Sequence, residues 1–182
     1  KTEDGDPFPQ WRPSSAGSAG TDGHIGRRQR AARRTALTYL LDVNVLIALV
    51  DPRHVFHDPA NAWFHREAVA SWATCPITEN GLVQIVGSNR YRNPVGPPSE
   101  VLRILDLLRD MRGHVFWPDT VSLANGRLFN PSALTAPEQI TDAYLLALAV
   151  SNGGLLATFD RRLSPDAVKG GRAALHLIAD TR

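Results

Sequence analysis

The chain has 182 residues, 43% of them apolar and 21% charged, with one cysteine, so a single soluble globular domain is expected. A wholly disordered chain, a disulfide-held secreted scaffold and a multi-thiolate zinc site are excluded. No run approaches the roughly 20 uninterrupted apolar residues of a membrane span, and KTEDGDPFPQ is too polar for a signal peptide, so no membrane contact and a cytoplasmic location are expected.

The net charge of +2 is unevenly spread: residues 1–36 hold seven basic and four acidic side chains, whereas 37–182 hold 13 and 14. The first segment is rich in Gly, Ser, Pro and charge. It reads as a flexible basic extension, with Arg27, Arg28, Arg30, Arg33 and Arg34 close together, and the boundary falls near Ala36. From Leu37 onward, short apolar runs alternate with stretches of helical period. That is the sequence form of β-α-β units around a mainly parallel sheet, an α/β protein.

Leu37–Leu41 reads as a buried first strand ending at Asp42, followed by a short apolar helix over Val43–Val50. Ala60, Phe64, Ala68 and Trp72 recur every fourth residue, which predicts one helix over His57–Ala73. Its three large aromatics, Trp63, Phe64 and Trp72, exceed what one buried face needs and point to an interface between copies. Thr74–Ile77 predicts a second strand. Thr78 then reads as the N-cap of a helix with Glu79 in its first turn and Leu82, Ile85 and Val86 facing inward.

Ser88–Pro98 can only be a loop, and Ser99–Arg112 a helix with Val101, Leu102, Leu105 and Leu108 inward. His114–Trp117 is a third strand. Thr135 and Glu138 have the capping-box spacing for a helix that carries Asp142 and stops at Gly153 and Gly154. Leu155–Phe159 is a strand ending at Asp160, and Ala174–Ile178 is the last.

Two apolar strands ending in aspartate place Asp42 and Asp160 on one rim, because ligands of open α/β sheets bind at the carboxyl ends of the strands. Glu79 follows a third strand, and Asp142 sits beside Leu145 and Leu146, where an uncompensated charge is costly. Singly, each acid also fits a helix cap or a favourable place at a helix N-terminus. Jointly they imply a hard divalent cation, Mg²⁺ or else Mn²⁺, as a cofactor, since no thiolate or histidine cluster accompanies them.

The segments LLDVNVLIAL, PITENGLVQIV, ITDAYLLALA and LATFDRRL, around Asp42, Glu79, Asp142 and Asp160, resemble the PIN-domain nucleases and, among them, the VapC toxins of toxin-antitoxin pairs. The resemblance spans Leu37 to Asp180. It implies a three-layer α/β/α sandwich, metal-dependent RNA cleavage by the four acids, small polar helpers at Asn44, Thr141 and Thr158, a VapB-like antitoxin and a homodimer. Arg90, Tyr91 and Arg92 in the long loop, with Arg161 and Arg162 after Asp160, are candidates to hold RNA by phosphate pairing and stacking. The rival readings are a non-enzymatic interaction module on the same fold and another metal-dependent phosphotransfer enzyme.

Overall fold

The computed structural model describes residues 37–179; the basic extension, 1–36, lies outside the described residues. Five short strands, β1 (Tyr39–Leu41), β2 (Trp72–Thr74), β3 (His114–Phe116), β4 (Leu155–Thr158) and β5 (Leu175–Leu177), form one sheet in the order β3-β2-β1-β4-β5. All four pairings are parallel, with Leu40 opposite both Ala73 and Leu156. The central strands are therefore buried on both faces, which is why LTYLL and LLAT read as unbroken apolar runs.

The helices are α1 (Val43–Val50), α2 (His57–Trp63), α3 (Pro76–Val86), α4 (Pro98–Arg109), α5 (Gln139–Ser151) and the single turn α6 (Gly171–Ala174). The chain steps outward from β1 through β2 to β3, then crosses back to β4 and steps the other way to β5. Right-handed crossovers thus put α1–α4 on one face and α5–α6 on the other, the three layers expected. Packing follows this division, since α1 meets α2 and α3, α3 meets α4, and α5 meets α6. Helix α5 is apolar almost all round and buries Leu145, Leu146, Ala147 and Leu148. The sheet covers one side, and Phe129, Leu163 and Val168 belong to the same core, with Phe129 bridged to Val168.

Several boundaries differ from the sequence reading. The helix expected through Ala73 ends early: α2 widens into a π turn at Phe64–Ala68, and the Val69 N–H donates to the Phe64 carbonyl. The chain then bends, because Trp72–Thr74 pairs with β1 and β3, and bonding on both edges outweighs a four-residue apolar row. Trp63, Phe64 and Trp72 are all in the core, 3%, 2% and 0% exposed, so they offer no interface.

Helix α3 starts at Pro76, not after Thr78. Cys75 is its N-cap, and the Thr78 hydroxyl, one turn in, accepts the Cys75 N–H. Ile85 and Leu102, expected inward, are exposed; Ile104 takes the inward place beside Val101 and Leu105. Helix α5 opens at Gln139, whose side-chain oxygen accepts the Thr135 and Ala136 N–H groups, so Gln139, not Glu138, closes the turn that leads into it.

Gly113, before β3, has a φ of +89°, and its Cα lies against the Val69 and Ala70 backbone. A side chain there meets both a disfavoured conformation and backbone atoms that cannot yield. Gly113→Ala is expected to destabilise the protein by at least about 1 to 3 kcal/mol, checked by denaturant unfolding.

Candidate active site

The strand order reverses between β1 and β4. Their crossovers leave in opposite directions, which opens a cleft at their carboxyl ends. Asp42 ends β1 and caps α1: Oδ1 accepts the Val43 N–H at 2.6 Å, and Oδ2 accepts the Thr158 hydroxyl at 2.6 Å and the Asn44 amide at 2.8 Å. The Thr158 oxygen also accepts the Asp160 N–H, and the Asn44 carbonyl oxygen accepts the Phe159 N–H. The end of β4 is thus bonded to the start of α1. Asp42 is 7% exposed, and burial pushes its carboxyl above the usual range, with the Asp160 charge adding to the rise and the bonds from Thr158, Val43 and Asn44 opposing it.

Asp160 turns back on its own chain. Its Oδ1 accepts the Arg162 N–H at 2.8 Å and the Arg162 Nε–H at 3.3 Å. That backbone bond first, and the guanidinium after it, hold Asp160 below the usual range against burial. Asp142, in the first turn of α5, is pushed up to about 6 by burial and then by the charges of Asp42 and Asp160, with Arg162 opposing. Asp142, Asp160 and Arg162 line one cleft of about 300 Å³ together with Glu138 and Ser164. Glu138 was not singled out from the sequence, although it lies four residues before Asp142, the spacing that brings two side chains to one helical face.

Glu79, at the start of α3, has its own set of partners. The Thr74 hydroxyl donates to its Oε1 at 2.6 Å, Arg109 lies 3.5 Å from its Oε2, and Thr74 Oγ1 is also 2.8 Å from His114 Nε2. Its charge acts on His114, and it is not among the charges that shift the three aspartates. Glu79 lies in the first turn of α3, and its carboxylate reaches Thr74 on β2 and Arg109 on α4. Thr141 is exposed and lines a different depression with Val43, Asn80 and Gly81.

In the long loop Arg90 and Arg92 are exposed, whereas the Tyr91 hydroxyl donates to Asp51 at 2.7 Å. Asp51, only 1% exposed, also accepts from Asn93 and from the Arg53 N–H, and it was not picked out from the sequence. Arg161 is exposed.

Among the described residues no three carboxylates, imidazoles or thiolates are gathered tightly enough to hold an ion unaided. Asp42, Asp142 and Asp160 nevertheless fit a hard cation that keeps several of its waters. The donors are all oxygen, and two of the three are raised, first by burial and then by the charge of their neighbours, both of which a bound cation would offset.

A family model described as PIN domain matches residues 39–165. The chain is 44% identical over 134 residues to Ribonuclease VapC44 of Mycobacterium tuberculosis, covering 72% of this chain and 92% of that protein. It is 41% identical to Ribonuclease VapC39 of the same organism, covering 74% and 96%. Among solved structures, VapBC2 from Rickettsia felis bound to a DNA fragment from their promoter aligns with 78% of this chain and 98% of that chain, at 13% identity and a TM-score of 0.46.

Because the folded protein binds the Asp142 proton more tightly than the unfolded chain does, stability of the ion-free protein should fall as pH rises from 3.8 to about 6. Asp142→Asn should flatten that fall and raise the melting temperature at neutral pH. Thermal melts across a pH series in chelator check this; an unchanged slope in the variant would contradict it.

Proposed function

The chain belongs to the PIN-domain family, alongside the VapC ribonucleases, and from that premise we propose that it is an endoribonuclease that hydrolyses RNA phosphodiester bonds with Mg²⁺ or Mn²⁺, as the toxin of a toxin-antitoxin pair. The observation that supports the reading is that Asp42, Asp142 and Asp160, next to β1, on α5 and next to β4, come within electrostatic reach of one another where the strand order reverses.

In this reading Asp42, Asp142 and Asp160 hold the ion. When bound, the cation would neutralise charge on the phosphoryl oxygens and acidify a water. Thr158 and Asn44 fix the Asp42 carboxylate in one orientation, so its geometry does not depend on the ion. Asp142, raised to about 6 in the ion-free protein by burial and then by Asp42 and Asp160, is the ligand whose negative charge a bound cation would favour. Arg162, held by Asp160 but with a 91% exposed side chain, is free to extend to a phosphate, with Arg161 beside it. Glu79, bonded to Thr74 and Arg109, is the fourth acid of the proposed site, as a further ligand or as the base that orients the water.

A VapB-like antitoxin would silence the site by placing a basic side chain among the carboxylates, where it substitutes for the cation. A homodimer would use surfaces other than the buried aromatics, such as Ile85, Leu102 and Leu107, which are exposed on α3 and α4. No helix among the described residues is long and apolar enough to cross a membrane.

Cleavage of single-stranded RNA is expected in Mg²⁺ or Mn²⁺, with loss in excess chelator and a fall of roughly a hundredfold or more in Asp42→Asn and Asp142→Asn, both still folded by circular dichroism. Full activity in chelator would overturn the proposed metal dependence, and full activity in both variants the proposed site.

A further inference from the structure

Phe159 stands between Thr158 and Asp160, so its backbone is part of the acid site, and its ring lies against Phe56 in the connection between α1 and α2. The two rings stack with centroids 4.6 Å apart and planes 9° from parallel. Both remain half-buried. In these respects they differ from the aromatics of the core: Phe64, Trp72 and Phe129 are no more than 2% exposed, and Phe64 meets Trp72 edge-on at 78°. Offset-stacked rings are a favourable aromatic arrangement, and a stacked pair that keeps part of its surface exposed offers a planar ring something to extend.

Contacts lead from this stack to exposed positive charge. The His54 ring lies 5.9 Å from Phe56, and the His54 N–H donates to the Asp51 carbonyl at 3.0 Å. The buried Asp51 carboxylate holds Tyr91 at 2.7 Å and Asn93 at 2.9 Å, which fastens the long loop here and fixes Arg90 and Arg92 as its exposed cations. Arg53, next but one to Asp51, is exposed on the same connection as Phe56. Acids, a half-open aromatic stack and exposed arginines therefore follow one another along one linked stretch of the molecule.

We propose that Phe159 and Phe56 form a stacking platform for a nucleobase of single-stranded RNA beside the phosphate to be cut, with Arg53, Arg90 and Arg92 pairing the backbone that leads away from it. The assignment rests on the ribonuclease reading and deepens it. A single strand is required because bases paired in a duplex present no free face. Stacking tolerates any base, so the platform positions the strand while leaving sequence preference to other contacts.

The test uses a short fluorescein-labelled single-stranded RNA of mixed sequence, read by anisotropy in an Asp142→Asn background so that the probe survives. Phe159→Leu should weaken binding about tenfold, and Phe159→Tyr, which keeps the ring, should stay within about twofold. Phe56→Leu, on a connecting segment and less exposed to folding failure, should weaken binding in the same direction. Stepping one abasic nucleotide along the probe should reveal a position where the missing base costs affinity to the parent and costs nothing to Phe159→Leu. Mn²⁺ affinity, measured by calorimetry with Asp142 intact, should not change in Phe159→Leu. Equal affinities and equal abasic profiles in parent and Phe159→Leu, in a protein that binds and cuts RNA, would overturn the platform alone. A parent that neither binds nor cuts RNA would overturn the ribonuclease reading and the platform with it.

Discussion

Three aspartates within electrostatic reach of one another repel, and the groups around them are arranged to bear that repulsion. Asp42, the most buried, is met by three donors, from Val43, Asn44 and Thr158, each within 2.8 Å. Asp160 is met by the backbone and guanidinium of Arg162. Asp142 has no comparable set of donors among the described residues, and burial, with the charges of Asp42 and Asp160 after it, leaves its carboxyl raised to about 6 despite Arg162. Two acids are fixed by the protein, and the third is left to be satisfied by something else. This division is the physical basis for reading the cleft as a cation site.

The same donors also join the two faces of the molecule. Thr158 lies on β4 and Asn44 on α1, so their bonds to Asp42 lock the first helix to the end of the strand that follows α5. The core beneath is built for close approach, with Ala143, Ala147 and Ala149 alternating with leucines along α5. Small side chains let that helix sit near the sheet, which brings Asp142 within electrostatic reach of Asp42 and Asp160.

Much of this was legible in the sequence because it rests on local pattern. Apolar runs ending in Asp42 and Asp160 declare buried parallel strands, and the layer order follows from their spacing with the helical stretches. What the sequence hid depended on partners distant along the chain. Trp72 continues the apolar row of α2 by spacing, yet two neighbouring strands claim it. Thr78 reads as an N-cap, yet Cys75 caps the helix three residues earlier, and the bond from Thr74 to Glu79 has no sign in the local pattern. Leu102 and Ile85 fit a helical stripe, but α3 and α4 cover each other over a narrower face than the stripe suggests. The stacking of Phe56 on Phe159, 103 positions later, has no signature that periodicity could carry.

The central position of β1 also bears on how the protein is made. Its partner on one side, β2, is available early in synthesis, but β4 arrives only after more than a hundred further residues, and the Thr158 bond to Asp42 spans 116 positions. On the ribosome β1, β2 and β3 all emerge before Asp142, Asp160 and the Thr158 that bonds to Asp42. Sheet closure through such non-local pairing is slow compared with local helix formation. If the cleft is the working site, the chain is harmless for most of its own translation, and it becomes competent only when the last third of the domain has docked.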